Sequence, residues 1–237
     1  MPSSFIYGNR YLTVSEQQNN ANLCYEWMRG IQAATFSVNA ACAIIANFEY
    51  ESTINPGIVE SLATDPEAFK QEHGYYPGCG LAGWTPYTKL TGWLNNLGIS
   101  ADFNSGWQDK GALQLEFILW QLQNEPTAVW FRNPSVTPQD PPMSFAEFCN
   151  SDLDPGTLAK YWCWYYEHPA DPNGQAPLRA AAANKWYTYF TGEEPPGPGP
   201  EPPGPGPEPP TPTEKRKGLP VWMMCGNKRR RIMRRIY

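Results

Sequence analysis

Apolar positions recur along this chain at helical rather than strand spacing. Val38, Ala41, Cys42, Ile45 and Phe48 fall three or four residues apart, which predicts a helix with Ser37 placed to cap its start. The pattern runs out at Glu51, and Asn55-Pro56-Gly57 is a strong turn signal. Glu51 is therefore expected at or just past the last helical turn. Upstream, residues 1–14 read as an irregular lead-in. A preceding helix is expected to open at Ser15 and Gln18, a capping-box pattern, and to run to about Ile31 with Leu23, Trp27 and Met28 on its apolar side.

Residues 58–84 are punctuated by Gly74, Pro77, Gly78, Gly80 and Gly83 and predict a small β-hairpin or irregular flap. Thr85-Pro86 then reads as an N-cap with proline at the first helical position, opening a helix through Leu90, Trp93 and Leu94 that stops at Gly98. Residues 107–124 predict the longest amphipathic helix, with Leu113, Phe117, Trp120 and Leu122 facing the core. After a Pro-rich loop at 133–142, Ser144 and Glu147 cap a short helix. Asp154 starts another that ends in the aromatic run Tyr161-Trp162-Cys163-Trp164-Tyr165-Tyr166, and a last helix lies near 177–190, starting at Pro177. The predicted class is α+β, mainly α, with the hairpin as its minor element.

Composition divides the 237 residues into three parts. Residues 1–192 look globular and hold 9 Lys+Arg against 18 Asp+Glu. Residues 193–214 are a Pro/Gly-rich linker in which Pro-Pro-Gly-Pro-Gly-Pro-Glu occurs at 195–201 and again at 202–208. Such a segment buries no core, favours extended polyproline II and serves as a spacer. Residues 215–237 carry 9 Lys+Arg and no acid. The formal net charge of −5 thus hides an acidic body and a strongly basic tail. The tail joins Val221-Trp222-Met223-Met224 to Lys228-Arg229-Arg230-Arg231 and Arg234-Arg235, which suits an anionic polymer or membrane surface.

The six cysteines show no C-x-x-C spacing, and with only His73 and His168 beside them no zinc pattern forms. Cys24, Cys42 and Cys163 read as small buried hydrophobes. No metal or cofactor is called for. No basic, apolar leader of the secretory kind is visible, nor any stretch long enough to span a bilayer.

Glu51 is the candidate for acid chemistry. The C-terminal end of a helix carries partial negative charge and disfavours another one. A partly buried carboxyl also resists ionisation because it loses hydration. Both suit a group that must keep a proton to give away. Glu49, the nearest rival, lies two helical positions off, about 200° around the axis, so the two cannot face one cleft.

Three stretches bear on one another: Glu51-Ser52-Thr53-Ile54-Asn55-Pro56-Gly57; Gly80-Leu81-Ala82-Gly83-Trp84-Thr85-Pro86; and Tyr166-Glu167-His168-Pro169-Ala170-Asp171-Pro172-Asn173 followed by Arg179 and Lys185-Trp186-Tyr187. In this order, over roughly residues 10–191, they resemble the phage tail lysozyme family, whose members degrade peptidoglycan. The resemblance implies a lysozyme-like, mainly helical fold with a small hairpin beside the cleft. It implies that Glu51 protonates the glycosidic oxygen of a β-1,4 bond between N-acetylmuramic acid and N-acetylglucosamine. Around it, Tyr50, Ser52, Asn55, Trp84 and Thr85 are the expected sugar contacts, with Trp84 either stacking on a sugar or lying in the core. Glu60 and Asp65 are candidates for a second carboxylate. Glu167 is expected to be structural, paired with Arg179.

Relatives commonly carry Gln before the tryptophan of the second motif, where this chain has Gly83. That keeps a non-catalytic virion component open beside a muramidase, and the unsettled second carboxylate keeps a lytic transglycosylase open as well. The implied setting is a phage tail acting on the host cell wall. Peptidoglycan is the substrate, with phage tail proteins as further partners. Anionic wall polymer or a membrane surface is the expected contact of the basic tail, in preference to nucleic acid, with docking onto another virion protein an equal alternative. Some relatives add a zinc peptidase domain; nothing here supplies its ligands.

Overall fold

A computed structural model describes residues 4–31, 36–136 and 142–197. Its axis is α2 (Val38–Ser52), in which every residue from Ala40 to Phe48 is buried. A helix apolar on all sides must be surrounded. Four of these nine positions are alanine, so neighbouring helices can approach closely. Ser37 caps it as expected, its side chain accepting from the Ala40 N–H at 3.1 Å. At the far end Thr53 and Ile54 both turn left-handed, with φ of 57° and 56°.

Around α2 lie α1 (Val14–Glu26), continued by a π turn over Trp27–Ile31, then α8 (Pro155–Trp162), continued by a second π turn over Cys163–Glu167, and α9 (Pro172–Thr191). Between α2 and α8 the chain forms α3 (Pro66–His73), α4 (Thr88–Asn96), α5 (Gly111–Asn124), the single turn α6 (Pro126–Val129) and α7 (Phe145–Asn150). The close packing of α2, α8 and α9 on one another makes the core.

The expected hairpin does not form: among the described residues there is no strand. Antiparallel contact is limited to two isolated bridges, Val59 with Cys79 and Cys79 with Trp84. Gly80 and Gly83, at φ of 77° and 57°, reverse the chain between Cys79 and Trp84. On the other side a 3-10 turn at Glu60–Leu62 and then α3 take up the residues a ladder would need. A sheet needs several consecutive extended residues on each side, and neither side supplies them.

Other boundaries also move. The first helix is capped by Thr13 and Glu16, one capping box upstream of Ser15 and Gln18. Its carboxylate also meets Arg10, a charge-assisted pair that a glutamine could not make. The helix expected from Thr85-Pro86 begins at Thr88, and the Thr85 hydroxyl instead donates back to the Gly83 carbonyl at 3.1 Å. Trp120 is 38% exposed rather than core, whereas Phe117 and Leu122 are buried as expected. The longest helix is α9, not the 107–124 segment: Asp171 caps it and Pro172 fills its first turn, so Pro177 lies inside it. The caps at Ser144 with Glu147 and at Asp154 are as expected. Cys24, Cys42, Cys79, Cys149 and Cys163 are free and buried. Most of the linker and the whole basic tail lie outside the described residues.

Candidate active site

Glu51 sits in the last turn of α2, its side chain 24% exposed. Its partner comes from a residue 128 positions away. The Nη2 of Arg179, on α9, donates to Glu51 Oε1. Arg179 is itself only 1% exposed, so the pair joins a buried cation to a carboxylate at the edge of solvent. The Nη1 of Arg179 donates to Asn47 Oδ1 at 2.8 Å. Asn47 in turn is held by its Nδ2, which donates to the carbonyls of Ala43 and Ala159 at 2.8 and 3.2 Å. The guanidinium also lies 5.8 Å from the ring centroid of Tyr50. A charge this deep is tolerated only when paired and hydrogen-bonded, and these contacts supply both.

The second oxygen of Glu51 faces the backbone of Gly83: a Cβ built there would stand 3.5 Å from Oε2. The Gly83 turn is thus brought against Glu51. The φ of 57° at Gly83 favours glycine, and the missing side chain leaves the approach to Oε2 clear.

Glu167, at the end of the second π turn, adds a further carboxyl. Its Oε1 accepts from the Trp162 indole N–H at 2.7 Å. Burial first, and then the negative charge of Glu51, raise this carboxyl well above the ordinary carboxylate range, while Arg179 and the indole N–H pull it the other way. Burial works against the charge of Arg179, but Glu51, Cys163 and Glu167 outweigh it and hold the guanidinium above its usual value. The Cys163 thiol is pushed up to about 12 by burial.

The expected sugar contacts separate into two groups. Tyr50 is half-buried beside Arg179, and Thr85 is half-buried next to the Gly83 turn. Ser52, Asn55 and Trp84 are structural. The Ser52 hydroxyl donates to the Phe48 carbonyl at 3.0 Å. Asn55 is fully buried, its Nδ2 donating to the carbonyls of Gly8 and Arg10 at 2.7 and 2.6 Å and its Oδ1 accepting from Gly57 N–H at 2.9 Å. Trp84 is 5% exposed, packed on Phe117, with its indole N–H shared between Gln121 Oε1 and the Tyr166 hydroxyl, both at 3.1 Å. The ring thus lies in the core, one of the two places expected for it.

The candidate second carboxylates are both engaged. Asp65 caps α3, accepting from the N–H groups of Glu67 and Ala68 at 2.9 and 3.1 Å. Glu60 accepts from the Tyr75 hydroxyl at 2.7 Å and from Gly78 N–H at 2.8 Å. Gly78 packs on the Gly83 carbonyl, which a Cβ on Gly78 would approach to 2.7 Å. Glu60 is therefore bound behind the 78–84 turn whose Gly83 faces Glu51. Glu49 points elsewhere, to Lys185 Nζ at 2.8 Å and the Trp186 indole at 2.7 Å. A cavity of about 510 Å³ lined by Trp130, Phe145, Met143 and Tyr165 includes none of the Glu51 cluster.

Sequence reasoning singled out Glu51 but gave Arg179 to Glu167 alone and passed over Asn47. No local signal marked Arg179 as buried: arginine is ordinarily exposed, and in the same run Leu178 and Ala181 face solvent.

Residues 19–190 match the family described as phage tail lysozyme. Morphogenesis protein 1 of Bacillus phage B103 is 32% identical over 191 residues, which cover 80% of this chain and 44% of that protein. The chain therefore spans less than half the length of that curated relative.

Proposed function

This chain belongs to the phage tail lysozyme family, and from that premise we propose that it is a muramidase-type glycosidase in which Glu51 is the general acid. The reading rests on one observation above the others. Glu51 ends a rigid buried helix with one oxygen anchored to Arg179 and the other left facing the Gly83 backbone.

That division of labour fits proton donation. The proton on Glu51 passes to the glycosidic oxygen and the bond from that oxygen to the anomeric carbon breaks. The negative charge then left on Glu51 is met by Arg179, which is already in place and needs no reorganisation. Water supplies the hydroxyl that closes the anomeric carbon, and its remaining proton restores Glu51. The substrate is the β-1,4 bond between N-acetylmuramic acid and N-acetylglucosamine.

The second reading is a lytic transglycosylase on the same bond. Its support is that Asp65 and Glu60, the two carboxylates expected to activate water across from Glu51, are both tied to backbone groups. In that case a hydroxyl of the muramic sugar takes the place of water and an anhydro product leaves. Mass spectrometry of digested sacculi distinguishes the two: reducing ends for the hydrolase, anhydro sugars for the transglycosylase. Glu51→Gln should release neither, and full activity in that variant would remove the assignment. The family and the phage morphogenesis relative support a setting in the phage particle, acting on the host wall. Among the described residues no helix is long and apolar enough to cross a membrane.

A further inference from the structure

Arginine and carboxylate commonly meet through two parallel hydrogen bonds, a fork that takes both carboxylate oxygens. The pair at the end of α2 stops halfway. Arg179 Nη2 donates to Glu51 Oε1, and among the described residues no hydrogen bond reaches Oε2, which faces the Gly83 backbone. Arg179 Nε is buried and also meets no acceptor among the described residues. The arginine thus keeps a buried donor unused, which is costly, beside a carboxylate with an oxygen to spare.

The third nitrogen of the group accounts for this. Nη1 donates to Asn47 Oδ1 at 2.8 Å. Asn47 cannot follow the guanidinium if it swings, because its Nδ2 is tied to the carbonyl of Ala43 on α2 and to that of Ala159 on α8, at 2.8 and 3.2 Å. Carbonyls only accept, so the amide is fixed with its oxygen toward Arg179. Asn47 is fully buried and lies one helical turn before Glu51, on the same face of α2. The planar guanidinium is therefore pinned at Nη1 and Nη2 by two side chains of one helix, and the direction of Nε is set with them.

We propose that Asn47 is a positioning residue for the acid: by holding Nη1 it keeps Arg179 on a single oxygen of Glu51, so that Oε2 stays free to carry the proton to the glycosidic oxygen. This rests on Glu51 being the general acid. Without the Asn47 oxygen the guanidinium turns and forks both oxygens of Glu51. The oxygen meant for the substrate is then occupied by a cation. Position 47 controls the acid without touching the glycan.

The test uses the full chain and two variants. Asn47→Leu keeps the approximate shape of the side chain and removes its oxygen; Asn47→Asp keeps an oxygen for Nη1. In a crystal structure of Asn47→Leu the guanidinium should bond both oxygens of Glu51. Against solubilised peptidoglycan strands its kcat should fall roughly 10²-fold with KM unchanged, and Asn47→Asp should recover part of that loss. An Asn47→Leu structure in which Glu51 still bonds through one oxygen overturns the proposal, and so does an unchanged kcat. A loss seen in KM alone, or one that Asn47→Asp shares in full, overturns it too. Should Asn47→Leu fail to fold, 15N NMR of the arginine side chains in the parent decides. Separate Nη1 and Nη2 signals for Arg179 sustain the proposal, and one averaged signal overturns it. Full activity in Glu51→Gln would instead overturn the functional reading, and the Asn47→Leu structure would still report whether Asn47 holds the pair open.

Discussion

Two glutamates leave the last turns of α2, two residues apart, and meet the same helix at different places. Glu49 reaches Lys185 and Glu51 reaches Arg179. The two acids have nearly equal side-chain exposure, 23% and 24%. Their partners do not: Lys185 is 57% exposed and Arg179 is 1% exposed. Exposure of the acid alone would therefore rank the two as equivalent. The partner decides which is a surface ion pair, screened and weak, and which is a fixed charge in a medium that amplifies it. The functional difference between the two faces of one helix is a difference in what α9 presents to them.

Breaking the buried partner should have the largest effect. Arg179→Ala strands Asn47 and Glu51 and is expected to destabilise the chain by about 3–5 kcal/mol, read by urea denaturation, with activity lost as well. Glu51→Gln comes next. It should lower glycosidase activity by roughly 10²–10⁴-fold while circular dichroism stays native-like, because the amide oxygen can still accept from Arg179. Lys185→Ala, on the other face, should cost about 0.2–1 kcal/mol and leave turnover unchanged; a loss of activity there would erase the contrast.

The smallest effect concerns another exposed pair. Glu16 is held down to about 2, first by Arg10 and then by the Thr13 backbone. Its folded value lies below the ordinary 4.5, so its contribution is complete above that value and lost as pH falls through about 2. Thermal melts of Glu16→Gln and the parent should differ at pH 6 and converge near pH 2.

Local signals carried well from sequence to structure. The caps at Ser37, Ser144 and Asp154, the buried face of α2 and the turn after Glu51 all follow from spacing and residue chemistry within a few positions. What failed was non-local or competitive. The Gly-rich stretch was legible as a reversal but not as one too tight to extend into a ladder. Thr85 has the chemistry of a cap, yet the helix starts three residues later and its hydroxyl donates to Gly83. Trp84 and Asn55 carry the chemistry of glycan contacts, but burial commits both to the interior. Arg179 meets Glu51 across 128 residues, a pairing that no local pattern encodes. The linker and tail assignments stay as read from composition.

The bonds from Asn55 to the carbonyls of Gly8 and Arg10 have a consequence for how this protein is handled. The leading segment is a latch closed over the turn that follows the acid, and Leu12 adds to it by donating to the Thr53 hydroxyl at 3.1 Å. Trimming residues 4–12 as a dispensable terminus would open that latch. Catalytic output would then fade in a truncated product whose helices still melt together.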